Sequence, residues 1–368
     1  MSRKKNMSRL AFAVHSWLGL ISGIFLLLIG LSGSGLVFLK EIDHAVNAEL
    51  LQVSPTGNRF SIDELYRKIG TEHPHLAGIA WLNPDDAKTE AYEFRLYQND
   101  GKISTYDLGL ISINPYSGEI LREGNLKDLN SGIMPWITQF HWSLQLGIPG
   151  LLMATVFGIT MLLSTITGLI IYRKQVWKVL TFRARLKWNN WRTVSSGLHR
   201  VVGVWALLFN VIIFFTGFWM NKFSFDPAYW KRQIIATPLN TLSSQNIDQM
   251  LKTARKELPG LILKRVYLPT QPGKDFQISG TLKNQSAFFY NGNSVSINPS
   301  TGETTAVDLF ADKTFWEKVE ATFFPLHVGN FGGIPVKILY VIIGLLPGLL
   351  SITGALLWWR KRKGLRDY

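Results

Sequence analysis

The amino-acid sequence predicts a membrane protein that is mainly α-helical, with four transmembrane helices produced by an internal duplication. Each copy is expected to read helix, α+β domain, helix. Three observations predict this fold class: four long segments without charged residues, basic residues concentrated in alternate connecting segments, and short motifs that recur 184 or 186 positions apart. Because both copies then cross the membrane in the same directions, a pseudo-twofold axis along the membrane normal should relate them.

The composition excludes several classes of protein. Of the 368 residues, 47% are hydrophobic and only 17% are charged, with a formal net charge of +14. A basic protein suggests nucleic-acid binding only where the charge lies along a docking face. Here the charge flanks apolar segments, so no nucleic-acid partner is expected. The chain has no cysteine, which rules out disulfides, thiolate-bound metals, iron–sulfur clusters and covalently attached c-type haem.

Four charge-free segments are long enough to span a bilayer, whose hydrocarbon core requires about 20 apolar residues as helix. We predict transmembrane helices within 10–39, 133–172, 199–220 and 321–359. The second and fourth ranges begin with an interfacial segment, because 133–172 is too long for one crossing and Gly147-Ile148-Pro149-Gly150 interrupts it. Their crossings are placed at 151–172 and 338–359. The first helix is longer than the apolar part of a signal peptide, so we expect it to be retained.

The distribution of Lys and Arg orients the helices. Basic residues are concentrated in 1–9, 173–198 and 360–368, and positively charged flanks mark the cytoplasmic side of a membrane. Both termini and the middle loop are therefore predicted to be cytoplasmic. The segments 40–132 and 221–320 would form two outward domains, and the lipid bilayer is itself a partner.

The duplication is visible in matched motifs. The run Ile113-Asn114-Pro115-Tyr116-Ser117-Gly118-Glu119 reappears as Ile297-Asn298-Pro299-Ser300-Thr301-Gly302-Glu303, and His15 reappears as His199, both at an offset of 184. Three further matches have an offset of 186: Ile148-Pro149 with Ile334-Pro335, Thr167-Gly168 with Thr353-Gly354, and His141 with His327. A two-residue insertion in the second copy, between Gly302 and His327, accounts for the change.

Each outward domain is predicted to be α+β. The first contains a helix at 61–69, with Ser61 as N-cap and Glu64 completing a capping box, and strands at 91–97 and 104–113. The second contains a helix at 247–256 and strands at 264–268 and 288–297. Neither domain has a phosphate loop, a metal-ligand cluster or a nucleophile motif in its sequence, so no nucleotide site is expected.

Histidines are the candidate functional residues. Four of the seven lie in or beside a predicted membrane helix, and the duplication keeps these four; His44, His73 and His75 have no counterpart in the second copy. Ionisable side chains at membrane depth are costly and usually functional. His15 and His199 lie near the cytoplasmic helix ends, whereas His141 and His327 lie at the outer ends. We therefore expect one pair at each depth.

Two axial imidazoles from two helices are typical of b-type haem. We predict two non-covalent haem b groups, one with its iron held by His15 and His199 and the other by His141 and His327. Hydrogen bonding between helices is the alternative role for each histidine. Zinc or copper would require further ligands that the sequence does not provide nearby. The small residues Gly19, Gly23 and Gly203 fit either a flat macrocycle or close helix packing, and Arg9, Arg192 and Arg200 are either propionate partners or topology signals.

Taken together, these motifs resemble the PepSY-associated transmembrane family over nearly the whole chain. The resemblance is carried by His15-Ser16-Trp17-Leu18-Gly19-Leu20, Leu198-His199-Arg200, the two Asn-Pro-x-x-Gly-Glu turns, Leu326-His327-Val328-Gly329, Thr167-Gly168, and Thr353-Gly354 leading into Trp358-Trp359-Arg360. Within the family, the chain looks most like inner-membrane ferric-siderophore reductases of the FoxB type. One departure is Trp142-Ser143 after His141, where the second copy has Val328-Gly329.

The resemblance implies PepSY-like outward domains, two b haems between the four helices, and a location in the bacterial inner membrane. It further implies an oxidoreductase that reduces the iron of a ferric siderophore in the periplasm and so releases Fe(II) for uptake. The electron would come from a cytoplasmic reductase or a quinol, enter at the His15/His199 haem and leave from the His141/His327 haem.

Two other functions stay open on the sequence alone. PepSY-type domains also occur as peptidase-regulating or binding modules, so the chain could be a membrane-anchored interaction protein without redox activity. Replacing His15 or His327 would then leave its function intact. An importer with histidines along its path is the third hypothesis, although four helices in two parallel repeats, without intramembrane acids, are few for a transport path.

Overall fold

The computed structural model describes residues 2–82, 84, 87–97, 108–230, 243–270, 273–283, 285–286, 288 and 292–363. The chain divides into two compact units. The helical unit comprises Met1–Phe38, Phe140–Asp226 and Leu326–Tyr368, and the sheet unit comprises Leu39–Gln139 and Pro227–Pro325. Parts of three predicted elements, namely 104–113, 288–297 and 360–368, lie outside the described residues.

The helical unit is built from long apolar helices. They are α1 (Ser2–Leu36), α6 (Gly147–Leu180), α7 (Trp191–Trp205), α8 (Leu207–Asn221) and α13 (Gly333–Lys363). In the described part of the chain, four stretches are long and apolar enough to cross a membrane: Met7–Leu36, Gly147–Leu180, Leu207–Phe225 and Gly333–Arg360. The protein is therefore a multi-pass membrane protein with four candidate spans, as the charge-free segments predicted.

The long helices pack as a bundle with a polar interior contact and an apolar outer surface. Helix α1 lies between α6 and α13, while α6 also contacts α7 and α8, and α13 contacts α7. The Ser22 and Thr160 hydroxyls are 2.9 Å apart between α1 and α6. Ile21 and Ile24 are 60% and 64% exposed, which is expected of side chains that face lipid rather than a protein core.

Short helices precede α6 and α13. They are α5 (Ile133–Ser143) and α12 (Phe323–Val328). The second apolar run is interrupted, as predicted, but the break lies slightly earlier than 147–150. Leu144, Gln145 and Gly147 have φ of 52°, 62° and 64°, and α6 begins at Gly147. Pro149 is tolerated because the first turn of a helix has no internal partner for its N–H groups.

The sheet unit contains one eight-stranded antiparallel sheet among the described residues. Its strands are β1 (Gly78–Leu82), β2 (Tyr92–Tyr97), β3 (Leu108–Ile113), β4 (Ile120–Asn125), β5 (Leu261–Leu268), β6 (Phe276–Leu282), β7 (Asn293–Ile297) and β8 (Thr304–Asp308). The order is β4-β3-β2-β1-β5-β6-β7-β8. The two segments expected to form separate α+β domains thus share one sheet, and the fold is less purely helical than predicted. Pairing β1 with β5 removes an exposed edge from each half.

Helices α4 (Ile62–Glu72) and α10 (Ile247–Glu257) cover one face of the sheet and complete its core. The capping box predicted at Ser61 and Glu64 is confirmed. Each helix also caps the other: Asp63 accepts a hydrogen bond from the Ile247 backbone N–H at 3.0 Å, and Asp248 accepts from those of Ile62 and Asp63 at 3.1 and 2.9 Å. Carboxylates at helix N-termini satisfy orphan N–H groups and favour the helix dipole.

The remaining elements are short. Helices α2 (Leu39–Val46) and α3 (Ala48–Leu51) follow α1, α9 spans Pro227–Trp230, and α11 spans Phe315–Glu320. Single 3-10 turns occur at Leu129–Ser131, Lys222–Phe225 and Phe310–Asp312. The Asn-Pro-x-x-Gly-Glu motifs form matching turns, because Gly118 and Gly302 have φ of 70° and 77° and each donates its N–H to the asparagine carbonyl four residues earlier at 2.8 Å.

Candidate functional site

The inner pair consists of His15 on α1 and His199 on α7. Their ring centroids are 6.1 Å apart, with an angle of 83° between the ring planes. The sequence separates the two residues by 184 positions, but both helices belong to the same bundle. The structure therefore brings together the two histidines that were expected at the cytoplasmic depth.

The outer pair consists of His141 on α5 and His327 on α12. Their ring centroids are also 6.1 Å apart, with an interplanar angle of 57°. His141 contacts Ser32 of α1 at 3.1 Å. Because His15 and Ser32 are 17 positions apart on one continuous helix, the two pairs are separated by about 25 Å along α1, at a rise of about 1.5 Å per residue. That separation is close to the thickness of a hydrocarbon core, about 30 Å.

The centroid distance in each pair can be compared with two kinds of contact, coordination of one metal by both imidazoles and a direct hydrogen bond between them. A nitrogen–metal bond of about 2.0 Å plus about 1.1 Å from nitrogen to ring centroid places two axial imidazoles on one metal with centroids about 6.2 Å apart. A direct hydrogen bond of about 2.9 Å between imidazole nitrogens would place the centroids about 5.1 Å apart. The observed 6.1 Å in each pair matches the first value. The spacing is therefore too long for a direct histidine–histidine hydrogen bond; it equals that of an edge-to-face ring contact and leaves room for one metal ion between the two imidazoles.

Every one of these four rings is held through Nδ1. His15 Nδ1 donates to the Ser164 carbonyl at 2.8 Å, and His141 Nδ1 lies 3.1 Å from the Ile29 carbonyl. The other two Nδ1 atoms meet threonine hydroxyls, at 2.9 Å for His199 with Thr353 and 3.0 Å for His327 with Thr216. In all four cases the partner lies on a long helix of the bundle, so the bundle fixes the ring orientation.

The hydroxyl hydrogens decide the direction of these bonds. The Thr353 hydroxyl donates to the Leu349 carbonyl at 2.8 Å, and that of Thr216 donates to the Ile212 carbonyl at 2.7 Å. Each hydroxyl has a single hydrogen, so it can only accept from the facing histidine. The hydrogen-bond network thus assigns the proton to Nδ1 and leaves the Nε2 lone pair for a ligand, which is the usual arrangement of metal-binding histidines.

A glycine lies against the Cε1 edge of each ring. A Cβ added at Gly33 would lie 2.7 Å from Cε1 of His141, and one at Gly168 would lie 3.1 Å from Cε1 of His15. The corresponding distances are 3.1 Å for Gly217 with His327 and 3.3 Å for Gly354 with His199. Each glycine follows a serine or threonine, in Ser32-Gly33, Thr167-Gly168, Thr216-Gly217 and Thr353-Gly354. A side chain at Gly33 would collide with the imidazole, and one at any of the other three positions would require the ring to shift by a few tenths of an ångström.

A cavity of about 490 Å³ opens beside the inner pair, with His15 and His199 in its wall. This volume is within the range of small-molecule and cofactor sites. Gly19 and Gly203 also line it, as does Arg200. The Nε atom of Arg200 is buried and has no hydrogen-bond partner within the described residues. An anionic group at the edge of a bound cofactor could accept a hydrogen bond from this Nε atom.

The other histidines lie in the sheet unit. His44 Nδ1 is 3.2 Å from a Glu90 carboxylate oxygen, and His73 Nε2 is 3.1 Å from one of Glu123. Glu72, His73 and Glu123 come together with ligand atoms within 4.8 Å of one another. No such cluster was visible in the sequence, because Glu123 lies 50 positions away from His73. Both glutamates of this group are exposed and His73 is half-buried, and nothing else among the described residues at this position indicates a bound metal.

Sequence reasoning found the histidines but missed most of the residues that hold them. The sequence motifs include Thr167-Gly168 and Thr353-Gly354 only as matched positions, and they do not include Ser32-Gly33 and Thr216-Gly217. The offsets could have identified both matches, because Thr167 and Thr353 are 186 positions apart and Ser32 and Thr216 are 184 positions apart. These are the same offsets as those of the histidines.

The model of the PepSY-associated TM region family matches residues 12–361. The chain belongs to this family. The match includes all four membrane-associated histidines and the four serine- or threonine-glycine pairs that contact them. A search of curated proteins gives no match, so the assignment of this PepSY-associated protein to a chemical activity depends on its own residues.

Proposed function

We propose that this protein is a di-haem transmembrane electron-transfer protein that reduces ferric siderophores on the periplasmic side of the bacterial inner membrane. Its activity would be that of an oxidoreductase that transfers single electrons to chelated Fe(III), giving Fe(II) and the free chelator for iron uptake. The electron donor would be a cytoplasmic reductase or a quinol. The observation that carries the proposal is the pair of 6.1 Å imidazole spacings at two depths.

In this proposal, two haem b groups supply the one-electron chemistry, and the protein supplies their binding sites. His15 and His199 would hold one iron axially, and His141 and His327 the other. Nδ1 of each histidine donates to the bundle, so Nε2 is available for iron. Arg200 would neutralise an acidic edge of the inner group. The apolar bundle around both pairs would exclude water and bind the porphyrin without a covalent link.

We also infer the internal duplication, in which each copy contributes a PepSY-like segment and two membrane helices related by a pseudo-twofold axis along the membrane normal. The recurring offsets, the matched turns and the symmetric strand order support this inference. Both termini would lie in the cytoplasm, because the basic segments 1–9, 173–198 and 360–368 flank the spans on one side.

A haem assay on the purified full chain tests the proposal. The protein in detergent should be red, with a reduced-minus-oxidised spectrum of six-coordinate b-type haem and about two haems per chain, as two bis-imidazole sites require. His199→Ala should lose the inner site and about half of the haem. His75→Ala is the matched control, because His75 is exposed in the sheet unit, and it should keep both.

The rival role, a membrane-anchored binding or peptidase-regulating protein, gives a different outcome. It predicts a colourless preparation and normal function in both histidine variants. Reduction is then tested directly by mixing dithionite-reduced protein with a ferric trihydroxamate and trapping Fe(II) with ferrozine. Haem-loaded protein whose reoxidation is unaffected by the chelate would rule out the ferric-siderophore part of the proposal and leave electron transfer to another acceptor.

A further inference from the structure

The two histidines of the outer pair are carried by helices of different length. His141 lies on α5, which has 11 residues, whereas His327 lies on α12, which has six. A helix of six residues makes few internal hydrogen bonds, and such short helices are stable only where other parts of the protein hold them. His327 therefore depends on contacts from outside α12, of which the Thr216 hydroxyl at its Nδ1 atom is one.

The backbone carbonyl groups just before the two histidines show a second such contact. They belong to Phe140 in the first copy and to Leu326 in the second. The Phe140 carbonyl accepts a hydrogen bond from the backbone N–H of Leu144 at 2.8 Å, so the helical pattern continues past the histidine. The Leu326 carbonyl instead accepts from the Tyr340 hydroxyl of α13, also at 2.8 Å. A side chain of another helix thus takes the place of a backbone donor.

The Tyr340 ring contacts the residue that follows α12. A Cβ added at Gly329 would lie 2.5 Å from Cγ of this ring, and Gly329 has φ of 71°. Both features require glycine, because residues with a side chain rarely adopt a positive φ. Tyr340 is 6% exposed, and its ring also contacts those of Phe209 and Phe331, with centroid distances of 4.8 and 5.9 Å. These contacts fix the ring and with it the position of the hydroxyl.

The first copy has a different pair of residues at these two positions. Gly329 corresponds to Ser143 and Tyr340 corresponds to Ala154, both at the offset of 186. In the second copy the tyrosine on the long helix leaves no room for a serine after the short one. The exchange of sizes accounts for the departure between the two histidine motifs, in which the first copy has serine and the second has glycine.

We propose that Tyr340 is a positioning residue of the outer site, which holds His327 on the iron by fixing the backbone on both sides of it. The Tyr340 hydroxyl bonds the Leu326 carbonyl before the histidine, and the ring packs on Gly329 after it. The imidazole then has its backbone fixed by α13 and its Nδ1 atom held by Thr216 of α8. The role toward iron rests on the proposed function, whereas the contacts of Tyr340 do not.

Tyr340→Phe tests this role, because it removes the hydroxyl and keeps the ring. Loss of a group that orients a metal ligand typically weakens metal binding about 10- to 100-fold. In the His199→Ala background, where only the outer haem should remain, we expect haem transfer to apomyoglobin to be faster by that factor. The midpoint potential of this haem should rise and the g-values of its ferric form should change, because both depend on how the imidazole is held. In the otherwise native chain the inner site should keep its haem and its potential.

Tyr66→Phe is the matched control. Tyr66 is 4% exposed, and its hydroxyl donates to the Pro269 carbonyl at 2.7 Å within the sheet unit, so the same atom is lost from a comparable hydrogen bond. This variant should leave the haem transfer rate, potential and g-values of the outer site unchanged. The proposal would be overturned by an outer site that is unaffected in Tyr340→Phe or equally affected in Tyr66→Phe. Equal loss of haem from both sites in Tyr340→Phe would also overturn it, because the effect would then be on the whole bundle.

A native protein without haem would remove the proposed function but not the contact, which hydrogen–deuterium exchange tests without a cofactor. The backbone amides of 326–332 should exchange about tenfold faster in Tyr340→Phe than in the native protein, because a buried carbonyl loses its donor and local opening becomes easier. Tyr66→Phe should leave their exchange unchanged. Unchanged exchange in Tyr340→Phe would show that the hydroxyl does not hold this segment, and the proposal would fail whatever the haem content.

Discussion

The recurring motifs are distributed differently in the helical unit and in the sheet unit. In the helical unit, the residues around the four histidines recur with the chain offset, so Ser32-Gly33 matches Thr216-Gly217 and Thr167-Gly168 matches Thr353-Gly354. In the sheet unit, the strands recur in symmetric order, but Arg95 corresponds to Ser279. The two histidine pairs therefore have matched surroundings, whereas the matched strands of the sheet carry different side chains.

The two units also differ in how their polar groups are satisfied. In the helical unit each histidine Nδ1 has a partner on a neighbouring helix, although the surroundings are apolar. In the sheet unit Arg122 donates hydrogen bonds to the carboxylates of Asp43 and Glu93, each at 2.9 Å. The histidine contacts of the helical unit hold each ring through Nδ1 and leave Nε2 for a ligand, whereas these polar groups of the sheet unit bond to one another.

The largest effect is expected at the tightest contact of the helical unit. A Cβ at Gly33 would lie 2.7 Å from Cε1 of His141, closer than any side chain permits. Gly33→Val should therefore displace the imidazole, abolish the outer site and leave about half of the bound haem, since overpacking of this kind is not absorbed by a rigid bundle. A pyridine haemochrome assay measures the haem per chain.

Gly35→Val is the control for that variant. Gly35 lies two residues further along α1, and nothing is within 4 Å of a Cβ placed there, so the same added volume should leave both sites intact. Equal haem loss in the two variants would assign the effect to α1 as a whole. Full haem content in Gly33→Val would contradict the ring contact itself.

A smaller effect is expected from the hydroxyl partner of the inner pair. Thr353→Val keeps the shape of the side chain but removes the acceptor for His199 Nδ1–H. Loss of such a partner typically weakens metal binding about 10- to 100-fold and makes the imidazole a less basic ligand. A less basic ligand stabilises Fe(III) less, so the midpoint potential of the inner site should rise. A spectroelectrochemical titration measures it.

Thr167→Val provides the comparison within the same repeat position. The Thr167 hydroxyl donates to the Leu163 and Ser164 carbonyls at 2.8 and 2.9 Å, and His15 uses the Ser164 carbonyl rather than this hydroxyl. We expect no shift in potential from this variant. An equal shift in both variants would mean that the β-branched hydroxyl acts on the helix backbone and not on His199.

The contrast between the units also explains what the sequence could predict. Membrane helices and the depth of each histidine follow from long charge-free segments and recurring offsets, which are properties of the chain itself. The contacts of Gly33 and Thr216 depend on which helices pack together. A serine- or threonine-glycine pair is too common in sequences to predict which helix it will face. Periodicity identified β2, β3, β5 and β7, whereas β1, β4, β6 and β8 were missed. In β1 the three central residues are all buried and do not alternate.

The joining of the two halves could not be predicted either. Alternating residues identify a strand but not its partner, so nothing in the sequence pairs Ile79 with Leu268. The bulge after Leu263 is likewise a property of the β5–β6 register, and without it Arg265 would point into the core.

The smallest predicted effect concerns the stability of the sheet unit alone. Ser61→Ala removes the N-cap of α4 and should lower the free energy of unfolding by about 1 kcal/mol near neutral pH. Hydrogen bonds from Ser61 lower the pKa of Glu64, so the capped state disfavours proton binding. The stability that this carboxylate contributes is present above the ordinary glutamate pKa and is lost as the pH falls through the lowered folded-state value. Denaturation of native protein and variant at several pH values should therefore show the largest difference near neutrality and little in acid.

Thr314→Ala tests whether that cost depends on what the capped helix buries. Thr314 and Glu317 form an equivalent capping box on α11, but α11 has no buried residue among its six, so its loss should cost less than that of Ser61, which caps a helix with five. Both variants should keep the haem content of the native protein, because the described hydrogen-bond partners of the four histidines all belong to the helical unit. Loss of haem in Ser61→Ala would show that the two units do not behave independently, and the contrast between them would then reflect one cooperative fold.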